Sequence, residues 1–466
     1  MTFCSSLYKR KDHATESHVW ICLYFGTATT ECVLRVETRG IDDSLYVFAL
    51  SGDSRDNASV VIPSAVECDE QQIRFGAAIR GSAHVYDNLK LDIIKEASQG
   101  ADNEHLFRPG GSCAYAVIHL ATIIGMVRKA ISLHLKRQKL SFYLNIGAPI
   151  GADGDNAAHR RLATVFHEIA YRALMVSNEC SSLILDMATY HALVRRTSTL
   201  TIPRSEYSPV TVVPEALAAV TAFLQAPDRE VGNYATVDIG GGSTDVSFFW
   251  FHQGRFDGTQ QKEACYYSIR TNPVGMSQLA AALQQSLTGY AGRTSHERLA
   301  QSGELIQHAA NPAMSGLLTG IKKTYKDAFG DAFKLVPEFR RWVEDETSQW
   351  ELLLLGGGCG DGYIRKELDT HTPNSLIKYH RDTRYLGAPS NLRILLPDGR
   401  VLEATGASRR TRDAGGLEAV THMLTVAYGL GFRAPDIPRY DQHEYLPPRK
   451  PPKAWDFRPA SICRSG

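Results

Sequence analysis

Tyr234-Ala-Thr-Val-Asp238-Ile-Gly240-Gly241-Gly242-Ser243-Thr244-Asp245-Val-Ser-Phe-Phe-Trp250 is the stretch on which the reading of this chain turns. Its flanks, Ala235 to Ile239 and Val246 to Trp250, are β-branched and aromatic runs of strand length, and the small residues between them suit a tight hairpin. Glycine reaches φ > 0 and carries no Cβ, so backbone N–H groups in such a turn can converge on an anion such as a phosphate. Asp238 and Asp245 flank the hydroxyls of Ser243 and Thr244. Carboxylates beside a phosphate cradle suit Mg²⁺, which prefers carboxylate, water and phosphate oxygens. For a glycine turn taken alone, a plain hairpin is the competing reading.

Two further segments repeat the pattern. Ile21 to Val36 is strand, Gly26-Thr27-Ala28 turn with hydroxyls, and strand again. Leu352 to Leu355 runs as a buried strand into Gly356-Gly357-Gly358-Cys359-Gly360-Asp361-Gly362, followed by a helix-like Tyr363 to Leu368. Three turns in this order and spacing resemble the actin-like ATPase superfamily, which includes actin, sugar kinases, DnaK-type heat-shock chaperones and ParM-type plasmid-partition actins. The resemblance spans roughly residues 18 to 432.

That resemblance implies an α/β protein with a two-lobed actin-like ATPase fold, built from duplicated ribonuclease H-like subdomains around a nucleotide cleft. Residues 18–205 would form the first lobe and 206–432 the second, between a flexible leader (1–17) and a Pro-rich basic tail (433–466). ATP or ADP with Mg²⁺ would be the cofactor. Gly26, Thr27, Ala28, Gly240, Gly241, Gly242, Ser243 and Thr244 would contact the phosphates, and Asp238 would hold the metal's water shell. Adenosine would lie against Gly356, Gly357 and Gly358, with Cys359 and Asp361 on the rim, and Arg293, His296, Glu297 and Arg298 are either further contacts or solvated helix residues.

Within the superfamily, Ile62-Pro63-Ser64-Ala65-Val66 and Phe75-Gly76-Ala77-Ala78 are similar to the DnaK-type chaperones. Lys90 lies where those chaperones carry a lysine that reaches the γ-phosphate; a solvated surface lysine is the other reading, and Lys95 competes for the role. The strand Phe142 to Pro149 and the helix Asn156 to Val176 fit the first lobe. Glu215 follows Pro214, as does the water-orienting glutamate of ParM-type actins, whereas the chaperones carry it just before the proline, here Val213. An acid complementing the helix dipole is the alternative for Glu215. Tyr24 replaces the aspartate usual in the first turn, and a phenol is no hard anionic partner for Mg²⁺ at neutral pH. Nucleotide binding is therefore better supported than efficient hydrolysis, and Glu31 is a neighbouring carboxylate that could compensate.

Composition bounds the rest. A chain of 466 residues, 43% hydrophobic and 22% charged, can bury the core of about two to three domains or one bilobed unit. A formal net charge of +1 gives no electrostatic ground for a nucleic-acid or anionic-membrane partner. Nine scattered cysteines without a Cys-x-x-Cys pair suggest neither a disulfide framework nor a zinc site, and fit a reducing cytoplasm. The leader lacks a signal peptide's apolar core, and Tyr115 to Val127 is too short to span a bilayer, so a core helix is expected there.

Toward the C-terminus, Asn391 to Glu403 reads as a hairpin about Pro397-Asp398-Gly399, Ser408 to Asp413 as a basic loop, and Ala419 to Leu430 as a closing helix. The proline-rich segment after Phe432 leaves no room for the chaperones' peptide-gripping sandwich and lid, so a protein partner or client would come from another chain. The expectation is an ATP-binding, chaperone-like protein, a weak Mg-dependent ATPase whose lobe closure switches partner binding. A non-hydrolysing nucleotide-dependent scaffold or sensor, and a filament-forming ParM-like actin, are the alternatives.

Overall fold

The computed structural model describes residues 16–50, 60–81, 83–100, 103–136, 138–150, 157–203, 208–225, 229–256, 259–279, 281, 312–335, 339, 350–368, 380–386, 388–389, 392–402, 421–432 and 439–442. The leader, the basic loop at 408–413 and Arg293 to Arg298 lie outside them. The protein is mixed α/β with sheets of eight, six and four strands.

Two of these sheets share one strand order. In the first, β1 (Glu16–Phe25), β2 (Thr29–Thr38) and β3 (Ile41–Phe48) form an antiparallel meander. On the other side of β1, β4 (Lys139–Ala148) runs parallel to it and β5 (Val210–Pro214) runs parallel to β4. In the second, β6 (Gly232–Ile239), β7 (Thr244–Phe256) and β8 (Thr259–Asn272) are again antiparallel. There β9 (Trp350–Leu355) runs parallel to β6 and β10 (His380–Tyr385) parallel to β9. Parallel pairs need crossovers, which helices supply. In the first sheet these include α1 (Leu89–Ser98) and α2 (Ser112–His134) between β3 and β4, and α3 (Ala157–Val176) between β4 and β5.

Strand alternation sorts the core into layers. Val19, Ile21, Leu23 and Phe25 of β1 pack with α2 and α3, while Cys22 and Tyr24 point to the opposite face. In β6, Ala235, Val237 and Ile239 pack with α5 (Pro312–Leu335), and Tyr234 faces the other way. Between the two sheets lie α4 (Glu215–Gln225) and α6 (Thr425–Gly429), whose buried faces share one cluster with residues of both. The helices cross closely because Gly429 rests on the backbone of Ala218, so close that a Cβ at 429 would fall 1.7 Å from the Ala218 carbonyl oxygen. The apolar α2 is long enough to cross a membrane, but 72% of its apolar window is buried inside the protein, as a core helix requires.

Several elements differ from the sequence reading. The closing helix is the single turn and a half of α6 among the described residues, shorter than Ala419 to Leu430. The expected hairpin forms as Arg393–Leu395 and Val401–Leu402, and it extends the first sheet beyond β3, a placement its local sequence does not announce. Tail residues Arg439–Gln442 are a strand parallel to β8. In both places an edge strand offers unpaired N–H and C=O groups, and a sequence-distant segment covers them.

The crossing yields a stability test. Alanine in place of an exposed helical glycine gains roughly 0.5–1 kcal/mol, so Gly316→Ala, where nothing lies within 4 Å of the new Cβ, is expected to raise stability by about that much. Gly429→Ala meets backbone that no rotamer can clear, and is expected to lower stability by about 2 kcal/mol or more in urea unfolding. Equal effects of the two variants would contradict the crossing.

Candidate functional site

The first and second glycine turns are congruent hairpins. Gly26 N–H donates to the Thr29 carbonyl at 2.8 Å, and Gly240 N–H donates to the Ser243 carbonyl at 2.9 Å. Each closes a two-residue loop, Thr27-Ala28 in one and Gly241-Gly242 in the other, and the two loops touch. A Cβ at Gly241 would lie 2.8 Å from the Ala28 Cβ, and one at Gly242 would lie 2.7 Å from the Thr27 side chain. These glycines do not adopt the left-handed backbone; their lack of a side chain permits the approach. The third turn differs, because Gly356 has φ +85° and lies under Asp238, where a Cβ would fall 2.2 Å from Oδ1. Thus Thr27 and Ala28 of one loop meet Gly241 and Gly242 of the other, Gly26 and Gly240 close the two turns, and Gly356 packs under Asp238.

Behind the turns, the Pro63–Ser64 segment braces the first hairpin. Ser64 N–H donates to the Ala28 carbonyl at 2.9 Å, and the buried Ser64, Thr30 and His119 side chains form a relay at 2.7 and 3.1 Å. Burial drives the His119 imidazole down to about 4, so it is neutral at physiological pH. Sequence placed His119 only in an apolar helix; its partnership with Thr30 depends on the packing of α2 on β2.

Lys90 and Glu215 form the centre of the site. Lys90 is only 5% exposed, which overturns the solvated-lysine reading, and its Nζ donates to both Glu215 oxygens at 2.7 and 2.8 Å. Lys95, on the exposed side of α1, takes no part. The ammonium also lies 5.0 Å from the centre of the Tyr24 ring, a cation–π distance. Glu215 opens α4 and therefore also complements its dipole; the two readings of this residue are compatible.

Around this pair lie Glu31, Asp238 and Asp245. Burial, followed by the charges of Asp245 and Glu215, pushes Asp238 up to about 8, with Lys90 opposing the shift. Burial likewise raises Glu31 to about 8, against the Thr29 hydroxyl and Lys90. Asp245 is raised by burial too, although it accepts hydrogen bonds from Thr271 and, at 3.3 Å, from Ser243. Burial and then the charges of Glu215, Asp238, Glu31 and Asp245 push the Tyr24 phenol well above its ordinary range, so it stays protonated. The oxygen donors of Glu31 and Asp238 suit a hard cation such as Mg²⁺.

A cleft of about 290 Å³ opens beside this group, lined among others by Pro149, Glu215, Asp238, Asp245 and Thr271. The glycine turns do not line it. Three side chains expected at a nucleotide are engaged elsewhere. Thr244 is buried and its hydroxyl donates to the Val274 carbonyl at 2.8 Å. Cys359 is not on a rim: it is 1% exposed, packed in the second sheet's core, and burial raises its thiol. Asp361 accepts from the Ile364 N–H at 2.9 Å and so caps the helix that follows. A Cβ at Gly357 would lie 3.8 Å from Met423, while Gly358 packs on Ile239.

Elsewhere, His252 and Glu263, 2.6 Å apart, lie with Cys265 in a buried group whose ligand atoms are all within 4.8 Å of one another. The β7–β8 register brings them together, and nothing in their linear spacing announces it. No protein-family model matches the chain, and no curated protein matches it.

The raised carboxyls of Glu31 and Asp238 dictate a pH dependence. A folded-state pKa of about 8 for Glu31 and for Asp238, against 4.5 and 3.8 ordinarily, means that the folded protein holds protons which the unfolded chain has released. Their stabilisation is present below the ordinary values and is lost as pH rises through about 8. Unfolding free energy in chelator is expected to fall from pH 5 to 8 by at most about 1.4 kcal/mol per pH unit for each group. Glu31→Gln and Asp238→Asn should each flatten that fall, and an unchanged slope in both would contradict the assignment.

Proposed function

We propose that this is a two-lobed, actin-like nucleotide-binding protein closest to the nucleotide domain of DnaK-type chaperones, binding ATP or ADP with Mg²⁺ at the meeting of its glycine turns. The observation that carries the reading is the contact between two congruent hairpins beside a buried lysine–carboxylate group. The common strand order of the two large sheets supports a duplicated architecture, with α4 and α6 crossing between the halves. A cytoplasmic setting belongs to the same reading, in keeping with the free thiols of Cys22, Cys32, Cys113 and Cys180.

The chemistry is metal-assisted attack of water on the γ-phosphoryl, in which positioning and charge stabilisation do most of the catalysis. Mg²⁺, when bound, would neutralise developing phosphate charge, with Asp238 as its carboxylate partner. Thr27 and the backbone of Gly240 to Gly242 would meet the phosphates. Because Thr27 touches Gly242, phosphate entry requires the hairpins to part, which couples binding to a movement of the two halves about the α4–α6 crossing. A γ-phosphate drawn to Lys90 competes with Glu215 for that ammonium. Once released, the Glu215 carboxylate is free to orient water, so the ion pair is a latch on the catalytic base. Opening and closing would then switch affinity for a protein partner supplied by another chain.

One observation favours a non-hydrolysing scaffold instead: the protonated Tyr24 packs against Lys90 where an anion would serve a metal better. Single-turnover hydrolysis of ATP with Mg²⁺ separates the two. A weak ATPase turns over measurably, loses turnover in Asp238→Ala, and gains about tenfold or more in Tyr24→Asp. Tight ATP binding with no turnover in wild type establishes the scaffold, and no binding in any variant defeats both readings.

A further inference from the structure

The registers of the two hairpins relate their side chains pairwise. Phe25 pairs with Thr30 and Ile239 with Thr244 next to the turns; one step further, Tyr24 pairs with Glu31 and Asp238 with Asp245. Tyr24 is therefore the counterpart of Asp238, and Glu31 the counterpart of Asp245. All four positions face the layer between the sheets. The duplicated turn thus presents a quartet in which one member, Tyr24, is not a carboxylate.

The partners of the remaining acids are unequal. Glu215 has Lys90, through two hydrogen bonds at 2.7 and 2.8 Å. Asp245 has the hydroxyls of Thr271 and Ser243. Glu31 is 1% exposed, and neither of its oxygens makes a hydrogen bond of normal geometry, although the Thr29 hydroxyl lies near. It feels the charge of Asp238 across the contact between the hairpins, and both feel Lys90 and Glu215. A buried carboxylate without a partner is costly unless it is protonated or meets a cation. With oxygen donors and no thiol or imidazole between them, Glu31 and Asp238 select a hard divalent ion.

We propose that Glu31 and Asp238 together hold one divalent cation, Mg²⁺ or Mn²⁺, between the hairpins, so that β2 supplies through Glu31 the carboxylate that β1 lacks at Tyr24. The site rests on the nucleotide reading for its use, but it exists without nucleotide. The alternative state of Glu31 is a neutral, protonated core residue.

Mn²⁺ titrated into chelator-stripped protein at pH 8, with free Mn²⁺ read by electron paramagnetic resonance and no nucleotide present, tests the site. Wild type is expected to bind one ion, Glu31→Gln and Asp238→Asn to bind it about tenfold or more weakly, and Tyr24→Phe to bind it as wild type does. Glu31→Asp, which keeps the charge but shortens the reach, should fall between wild type and Glu31→Gln, and it serves if the amide variant does not fold. Wild-type affinity in both Glu31 variants, or no Mn²⁺ bound by wild type, overturns the proposal. A fluorescent ATP analogue titrated in chelator into the same proteins keeps the outcomes apart: its binding persists if only the cation site is wrong and is absent if the nucleotide reading fails.

Discussion

One buried lysine among buried and half-buried carboxylates is the constraint on which this structure depends. Lys90 comes from α1 and Glu215 from the start of α4, while Glu31, Asp238 and Asp245 come from both hairpins. Removing Lys90 would leave the half-buried Glu215 without its counter-ion, a destabilising change. A fold selected for stability alone would place apolar side chains here, since burying charges seldom repays their desolvation. Acids retained at such a position, with acidities shifted this far, are the usual mark of a site where charge is handled.

The glycines explain how charges from two halves of the chain come so close. Gly241 and Gly242 admit Thr27 and Ala28, Gly356 admits the Asp238 carboxylate, and Gly429 admits the backbone of α4. Each is a place where a methyl group would collide with the group now admitted. The layer of α4 and α6 packs between the two large sheets whose turns meet at this contact.

Much of this was legible in sequence because it is local. Gly26-Thr27-Ala28 and Gly240 to Ser243 form turns since their flanks are strands and nothing else fits so short a connection. Pairwise placement was not legible. That Glu31 matches Asp245, or that Lys90 reaches Glu215 across 125 residues of chain, follows from register and packing, which one-dimensional patterns do not encode. Cys359 misled because a cysteine after three glycines says nothing of which way the chain turns; here the short helix carries it into the core. The hairpin at 393–402 was legible from its Pro-Asp-Gly turn but not the sheet it joins, and the strand at 439–442 was read only as part of a proline-rich tail; open sheet edges decide where both pair.

Equilibrium titration of Mg²⁺–ATP into the purified protein decides whether the paired hairpins form a nucleotide site. Saturable binding of one ATP per chain, markedly weakened by Asp238→Ala and by Gly242→Val at the hairpin contact, is the predicted result. Absence of saturable binding, or binding indifferent to both substitutions, would contradict it.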